Sequence, residues 1–436
     1  MTEKYEPSPE VLEQGLYVAY AALSTMAVVP IYFGSFASLK KWKNPKQKKK
    51  SKKDNKEDSD DSDDEDEVSE SMSLEDAYMF PVFGSMTLFG LYLVFRYVDK
   101  TYVNYLLTAY FGLLGVMATT QVGVNCVAPI VKLLGINVDK WHLTLTKKKK
   151  ELYAAKFTIL HLIMMVVSVI LSGYYVATKN WIASNIFGIC FALNAIQLLA
   201  LDSFKTGMIL LSGLFLYDIF WVFGTEVMVS VAKNFDAPVK VIFPRLFFGL
   251  PADQAYQFAM LGLGDIVIPG VFVALCLRFD QHLAGTKNPN LGRSTRFSKP
   301  YFTACFIAYA LGLGTTIYVM HTFKAAQPAL LYLSPACILS VLFMGLVRGE
   351  IKEVFAYTSE EGIEAAKAKE EEEKKKQEEK QKKAGEDTKK VPALINTDSV
   401  ASEKATSSSA SDSEQEKSST PKPRKRKGGK SQKNKK

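Results

Sequence analysis

The chain has 436 residues, of which 48% are hydrophobic and 23% are charged, with a formal net charge of +9. The apolar residues are concentrated between 15 and 347, whereas 40–75 and 348–436 are almost entirely polar. This division excludes an ordinary soluble globular protein and predicts a membrane protein with polar loops and a polar tail. Because the Lys-rich segments flank apolar stretches, we expect them to contact anionic lipid, and we expect no nucleic-acid partner.

Apolar stretches long enough to cross a bilayer as an α-helix, roughly 20 residues each, recur along the chain. The candidate spans are 15–37, 78–98, 103–130, 156–177, 181–201, 206–226, 256–278, 301–320 and 327–347. We therefore predict an all-α fold, a polytopic membrane bundle of about nine transmembrane helices. The spans form one membrane domain over residues 15–347.

Charges outside the spans predict the orientation of the bundle. Residues 1–14 are acidic on balance and the loop 40–76 begins with a run of lysines, which places the short N-terminus in the lumen and the loop in the cytoplasm. Loops assigned to the cytoplasm carry about 23 Lys and Arg residues and luminal ones about 8, so one orientation fits the whole chain. Blocks of like charge predict that the loop and the cytoplasmic tail 348–436 are largely disordered.

Two acidic residues lie in the middle of predicted spans, where an ionisable side chain is costly and therefore indicates function. Asp218 lies within GLFLYDIFWVF of the sixth span, and Asp265 lies within MLGLGDIVIPG of the seventh. Counting along the helices puts Asp218 roughly 18 Å and Asp265 roughly 20 Å from the same membrane surface. Because consecutive spans are antiparallel, we expect the two carboxyl groups to meet.

Two carboxyl groups in contact resist ionising together, so the pair holds one shared proton. The ionised member can take a proton from water, and the protonated member can donate a hydrogen bond to a peptide carbonyl. This chemistry hydrolyses a peptide bond without a metal ion or a cofactor, and we expect neither. The five cysteines show no metal-ligand spacing, in agreement with that expectation.

Two further sequence elements accompany the acids. Gly262 and Gly264 precede Asp265, and glycine loosens a helix and permits close approach of another chain, although ordinary packing of small residues between spans is the alternative. The ninth span opens with QPALLYL, residues 327–333, in which Pro328 marks a helix start or break. Since both acids are estimated to lie nearer the luminal ends of their spans, this segment is expected to lie within reach of them.

The three elements together resemble the motif set of the GxGD intramembrane aspartyl proteases, the presenilin and signal peptide peptidase clan. YD occurs in the sixth span, GLGD in the seventh and QPALLYL at the start of the ninth. Within the clan, the inferred orientation and the segment FKAAQPALLYLSPAC are similar to the signal peptide peptidase family, and the resemblance covers roughly residues 78–347. It implies a presenilin-like bundle with Asp218 and Asp265 as the catalytic residues. It also implies motif or site-shaping roles for Tyr217, Gly262, Gly264, Gln327, Pro328, Ala329 and Leu330.

The resemblance implies an intramembrane-cleaving aspartic endopeptidase of the endoplasmic reticulum membrane. Its substrates would be transmembrane peptides, namely remnant signal peptides and membrane segments of type II orientation. The final residues, KNKK, resemble a dilysine retrieval signal, which agrees with that location. Members of this family assemble into homo-oligomers, so the resemblance implies a homo-oligomer here as well.

Two other classes of protein would also bury acidic side chains in a membrane. A transporter or ion channel could use Asp218 and Asp265 as a proton or cation relay. A membrane scaffold without catalytic activity could use them as hydrogen-bonding groups between helices. Neither alternative accounts for GLGD together with QPALLYL, and no inverted repeat is evident in the sequence.

Overall fold

The structure is a computed structural model that describes residues 9–40, 70–135, 140–147, 150–235, 237–245, 257–288, 296–323, 327–359 and 362–363. These residues belong to one unit, Met1–Lys374. Their helices are α1 Pro9–Ala37, α2 Leu74–Tyr97, α3 Lys100–Leu133, α4 Ile159–Thr178, α5 Trp181–Leu198, α6 Phe204–Phe223, α7 Val227–Asn234, α8 Gly264–Lys287, α9 Pro300–Phe323, α10 Leu330–Arg348 and α11 Ile351–Ala356. Their strands are β1 Glu70–Met72, β2 Lys140–Lys147, β3 Lys150–Thr158, β4 Leu199–Leu201, β5 Lys240–Pro244 and β6 Phe258–Gly262.

Nine of the helices in the described residues are long and apolar enough to cross a membrane, namely all except α7 and α11. This confirms the predicted all-α polytopic fold, to which the structure adds three short two-stranded sheets. One sheet pairs β1 with β4 in parallel, and the other two are the antiparallel pairs β2–β3 and β5–β6. The β2–β3 hairpin occupies most of the predicted loop between the third and fourth spans.

The seventh span differs most from its predicted limits, because 256–278 was expected and the helix is Gly264–Lys287. The five residues Phe258–Gly262 form strand β6 instead, with Gly262 opposite Lys240 of β5. Strand and helix residues are equally apolar here, so hydropathy alone did not separate them.

At its other end, α8 continues through polar residues that are buried and paired. Arg278 donates to the Ser38 hydroxyl at 3.4 Å and to the Leu199 carbonyl at 3.3 Å. The Gln281 amide donates to the Lys40 carbonyl at 2.9 Å. Mean hydropathy along the sequence falls at such polar side chains and therefore predicts the end of a span there. Hydrogen bonds to other elements offset the cost of burying these side chains, so the helix continues.

Helix α8 is the centre of the bundle. Its most apolar window is 78% buried, against at most 39% for any other span. It packs against α1, α5, α6, α9 and α10, and the absence of a side chain at Gly270 permits part of this packing. A Cβ atom at Gly270 would lie 2.7 Å from Ile196 Cδ1 and 3.1 Å from Ile31 Cγ1. The outer helices, α2 above all, leave apolar faces exposed, as lipid-facing helices do.

A polar network closes the end of the bundle where α8 ends and α9 begins. The buried carboxylate of Asp280 accepts hydrogen bonds from the backbone N–H groups of Tyr301 at 3.3 Å and Phe302 at 2.8 Å. The Tyr301 hydroxyl donates to Glu350 at 3.0 Å, and Arg348 also donates to Glu350 at 2.9 Å. These hydrogen bonds, with Arg348 as the main cause, hold the pKa of Glu350 below its ordinary value. The network ties α8, α9 and the end of α10 together.

Replacement of Asp280 with Ala is expected to destabilise the protein by about 2–4 kcal/mol, because two N–H groups at the start of α9 lose a buried acceptor. Asp99 offers a comparison, since its exposed side chain caps the start of α3 through the N–H of Thr101. Thermal unfolding of the purified protein in detergent measures both. Asp99→Ala should lower the midpoint less than Asp280→Ala, and equal shifts would contradict the structural role of Asp280.

The chain packs back onto the bundle after the last span. Val354 of α11 is fully buried, and the Tyr357 ring lies with its centroid 5.1 Å from that of Phe279. The Ser359 N–H donates to the Asp202 carbonyl at 2.7 Å, just before α6. The tail predicted to begin at 348 thus starts with residues that contact the bundle, and its remainder from 364 lies outside the described residues.

The predicted loop 40–76 is also shorter at its far end, because β1 begins at Glu70 and α2 at Leu74. Strand β1 pairs in parallel with β4, so Met72 lies opposite Leu201, just before α6. The remaining part of this loop, 41–69, lies outside the described residues, so its predicted disorder stays a prediction.

Candidate active site

Asp218 lies on the buried face of α6. The buried residues of this helix include Gly207, Leu211, Leu214, Asp218 and Trp221, which recur at helical spacing. The Asp218 side chain is 5% exposed. The backbone N–H of Leu330 lies near enough to its carboxyl group to interact with it electrostatically. The sixth span therefore turns its acid towards α10, the helix that begins within QPALLYL.

The start of α10 directs this N–H group towards Asp218 for a structural reason. The helix begins at Leu330, and Gln327 and Pro328 precede it outside regular secondary structure, which confirms the predicted helix start or break. The first N–H groups of a helix have no partner within the helix and carry its partial positive charge. An N–H group directed at Asp218 therefore favours a negative charge on that carboxyl group.

Asp265 is the second residue of α8, and the single turn residue Leu263 separates this helix from strand β6. It lies within electrostatic range of Asp218. The N–H of Leu263 donates to the Val239 carbonyl at 2.9 Å, which fixes the turn between β6 and α8. A Cβ atom at Gly262 would lie 3.4 Å from Asp265 Oδ2, so glycine permits close approach of the carboxyl group. The sequence placed this acid in the middle of a helix, whereas the structure places it at a helix start.

Two residues that the sequence placed at the site, Tyr217 and Gly264, have different surroundings from the others. The Tyr217 ring packs towards α2, where a Cβ atom at Gly84 would lie 3.5 Å from it, and towards Trp221, at a centroid distance of 6.3 Å. Gly264 is exposed, and a Cβ atom there would meet nothing within 4 Å. The structure thus places Asp218 and Gly262 near Asp265, and Leu330 near Asp218. The Tyr217 ring is directed away from them, towards α2.

A cavity of about 100 Å³ adjoins Asp265. Its lining comes from α1, β6, α8, α9 and the segment before α10: Tyr20, Leu23, Ser24, Met260, Leu261, Gly262, Asp265, Leu313, Thr316, Ile317, Met320, Gln327 and Ala329. Hydroxyl, amide and carboxyl groups among these residues can hydrogen-bond water, and the volume suits about three water molecules. The cavity therefore offers water beside one of the two acids.

Sequence reasoning found four residues of this lining, namely Gly262, Asp265, Gln327 and Ala329. It missed the hydroxyl-bearing residues of α1 and α9, Tyr20, Ser24 and Thr316. Polar side chains within apolar spans were the available signal, but serine and threonine commonly pack between spans without any role in chemistry. Among the described residues, no group of three or more His, Cys, Asp or Glu side chains could hold a metal ion.

Helices α6 and α8, which carry the two acids, approach each other closely at Gly207. A Cβ atom there would lie 2.6 Å from Cδ2 of the buried Phe272 ring, so we expect Gly207→Ala to destabilise the protein by about 1–3 kcal/mol through overpacking. Gly314→Ala is the matched control, because its Cβ atom would meet nothing within 4 Å. Alanine favours a helix by about 1 kcal/mol over glycine, so the control should raise the unfolding midpoint slightly. Two equal decreases would contradict the close approach.

Comparison with known proteins adds to this geometry. A family model described as signal peptide peptidase matches residues 63–361, which include both acids, GLGD and QPALLYL. The chain is 40% identical to the signal peptide peptidase of Mus musculus over 383 residues, covering 83% of this chain and 92% of that protein. It is also 40% identical to the signal peptide peptidase of Homo sapiens over 382 residues, with the same coverage.

A third relative carries a name that refers to the reaction. A probable intramembrane protease of Schizosaccharomyces pombe is 38% identical over 286 residues, covering 65% of this chain and 83% of that protein. These matches agree with a multi-pass membrane protein, since nine helices among the described residues are long and apolar enough to cross a membrane. The chain therefore belongs to the signal peptide peptidase family of intramembrane proteases.

Proposed function

We propose that this protein is an aspartic endopeptidase in which Asp218 and Asp265 form the catalytic pair. The observation that carries the proposal is that two acids from neighbouring membrane helices lie within electrostatic range of each other, and that one of them, Asp265, lines a cavity with polar groups. One carboxylate takes a proton from water while the other, protonated, donates a hydrogen bond to the scissile carbonyl. The water oxygen attacks the carbonyl carbon, and the leaving amine receives a proton when the C–N bond breaks.

The substrates in this proposal are transmembrane peptides, specifically remnant signal peptides and membrane segments of type II orientation. A helical substrate must become extended around the bond that is cut. Strand β6 leads directly to Asp265, and among the described strands it pairs along one edge with β5. Its other edge can receive an extended segment by backbone hydrogen bonding, a common mode of peptide recognition. The names of the mouse and human relatives support signal peptides as the substrate class.

Cleavage by the purified protein tests this function. The protein in detergent is incubated with a signal-peptide-derived helix, and the products are identified by mass spectrometry. We expect cleavage within the apolar segment of the peptide and inhibition by a transition-state analogue directed at aspartic proteases. The same preparation in liposomes tests the transporter alternative. Ion flux that requires both acids, without any cleavage, would refute the protease proposal.

The proposed location is the endoplasmic reticulum membrane, with the N-terminus in the lumen and the C-terminus in the cytoplasm, in a homo-oligomer. The distribution of Lys and Arg supports the orientation, and KNKK supports retention. Epitope tags at the two ends test the orientation in cells whose plasma membrane alone is permeabilised. The C-terminal tag should bind antibody and the N-terminal tag should not. Chemical crosslinking followed by sizing tests the oligomer.

A further inference from the structure

Pro269 leaves the backbone carbonyl of Asp265 without its usual helical partner. In an α-helix the carbonyl of residue i accepts a hydrogen bond from the N–H of residue i+4. Four residues after Asp265 comes Pro269, which lies inside α8 and has no N–H. A proline ring also crowds the carbonyl four residues before it. Because an unpaired backbone carbonyl is costly even when it is only partly buried, a donor from another part of the molecule stabilises the Asp265 carbonyl.

Tyr309 of α9 supplies that donor. Its side chain is fully buried, and its hydroxyl donates to the Asp265 backbone carbonyl at 3.3 Å. A buried tyrosine hydroxyl itself usually needs a partner, so one hydrogen bond satisfies both groups. The bond also joins two helices, because the Asp265 carbonyl in the first turn of α8 is bound by a side chain of α9 instead of by an N–H four residues later in its own helix.

We propose that Tyr309 is a positioning residue for Asp265, and this inference rests on the proposed catalytic role of Asp265. The hydroxyl fixes the peptide group that follows the Asp265 Cα atom, and thereby the direction in which the carboxyl group projects. Pro269 has the complementary role, since it removes the local hydrogen bond and transfers control of this peptide group to α9. Tyr309 acts through Asp265 and takes no part in proton transfer.

A double-mutant cycle tests the proposal with wild type, Tyr309→Phe, Pro269→Ala and the double variant. Phenylalanine keeps the ring and removes the donor, whereas alanine at 269 restores a backbone N–H to the Asp265 carbonyl. Active enzyme is counted with the transition-state analogue before kcat and KM are measured on a signal-peptide-derived helix. We expect Tyr309→Phe to lower kcat about five- to tenfold with KM unchanged, and to lower it less than about twofold when Pro269→Ala is present. Equal losses in both backgrounds would overturn the proposal.

Tyr301→Phe is the matched control for the loss of a buried tyrosine hydroxyl from α9. Tyr301 is also fully buried, but it lies at the start of α9, away from Asp265, and its hydroxyl donates to Glu350. Tyr301→Phe should lower the midpoint of thermal unfolding and leave kcat per active enzyme unchanged. If Pro269→Ala does not fold, the contrast between the two tyrosine variants decides, and equal kcat values for them would overturn the positioning role. Failure of the proposed function would look different, because Asp265→Asn would then retain cleavage.

Discussion

Replacement of either Asp218 or Asp265 with Asn is expected to lower kcat at least about a thousandfold, because an amide can neither take a proton from water nor return it to the leaving amine. Asparagine keeps the volume of the side chain, so the packing of α6 and α8 should persist. The measurement is the rate of cleavage of a signal-peptide-derived helix by equal amounts of folded protein, with unfolding midpoints recorded in parallel.

Two further variants sharpen this result. The double variant Asp218→Asn/Asp265→Asn should be no slower than either single variant, since groups that act as one unit give non-additive losses. Asp202→Asn is the control, because Asp202 lies just before α6, where its carboxyl group accepts a hydrogen bond from the Ser71 hydroxyl. This control should cleave within a few-fold of wild type. Normal cleavage by either single variant would remove the basis for the catalytic pair.

The membrane fold could be predicted from the sequence because its signal is local. Each span is a continuous apolar segment, and an acid within such a segment is conspicuous whatever its neighbours are. For the same reason QPALLYL indicated where α10 begins, at Leu330, whereas GLGD was expected inside a helix and instead lies where α8 begins, at Gly264. That the sixth and seventh spans bring their two carboxyl groups into contact stays a prediction from the sequence, and the electrostatic interaction of Asp265 with Asp218 is compatible with it.

Features that depend on tertiary neighbours could not be predicted in this way. Strand β6 forms from apolar residues that would serve equally well in a helix, and its partner β5 decides the outcome. Helix α8 extends past Arg278 because acceptors on other elements bind two of the nitrogens of that side chain, and hydropathy contains no information about these acceptors. Tyr309 gave no signal at all, because its importance depends on the proline four residues after an acid on another helix.

Leu330→Pro is expected to lower kcat about 10- to 100-fold, since it removes the backbone N–H that contacts the Asp218 carboxyl group. A hydrogen bond to a charged group contributes about 1.5–3 kcal/mol, and each 1.4 kcal/mol in the barrier is a factor of about ten in rate. Leu330 is the first residue of α10, the helical position at which proline is best tolerated. The substitution should therefore remove a donor without preventing α10 from forming.

Two controls separate loss of the donor from other effects of this substitution. Leu330→Met keeps the N–H and nearly the same buried volume, so its cleavage rate should stay within a few-fold of wild type. Leu331→Pro restricts the backbone one residue later and leaves the Leu330 N–H in place. It removes instead the weaker hydrogen bond to the Pro328 carbonyl, at 3.3 Å. If both proline variants lose activity equally, backbone distortion explains the loss; a deficit confined to Leu330→Pro means that α10 contributes its N-terminal N–H to the acid pair.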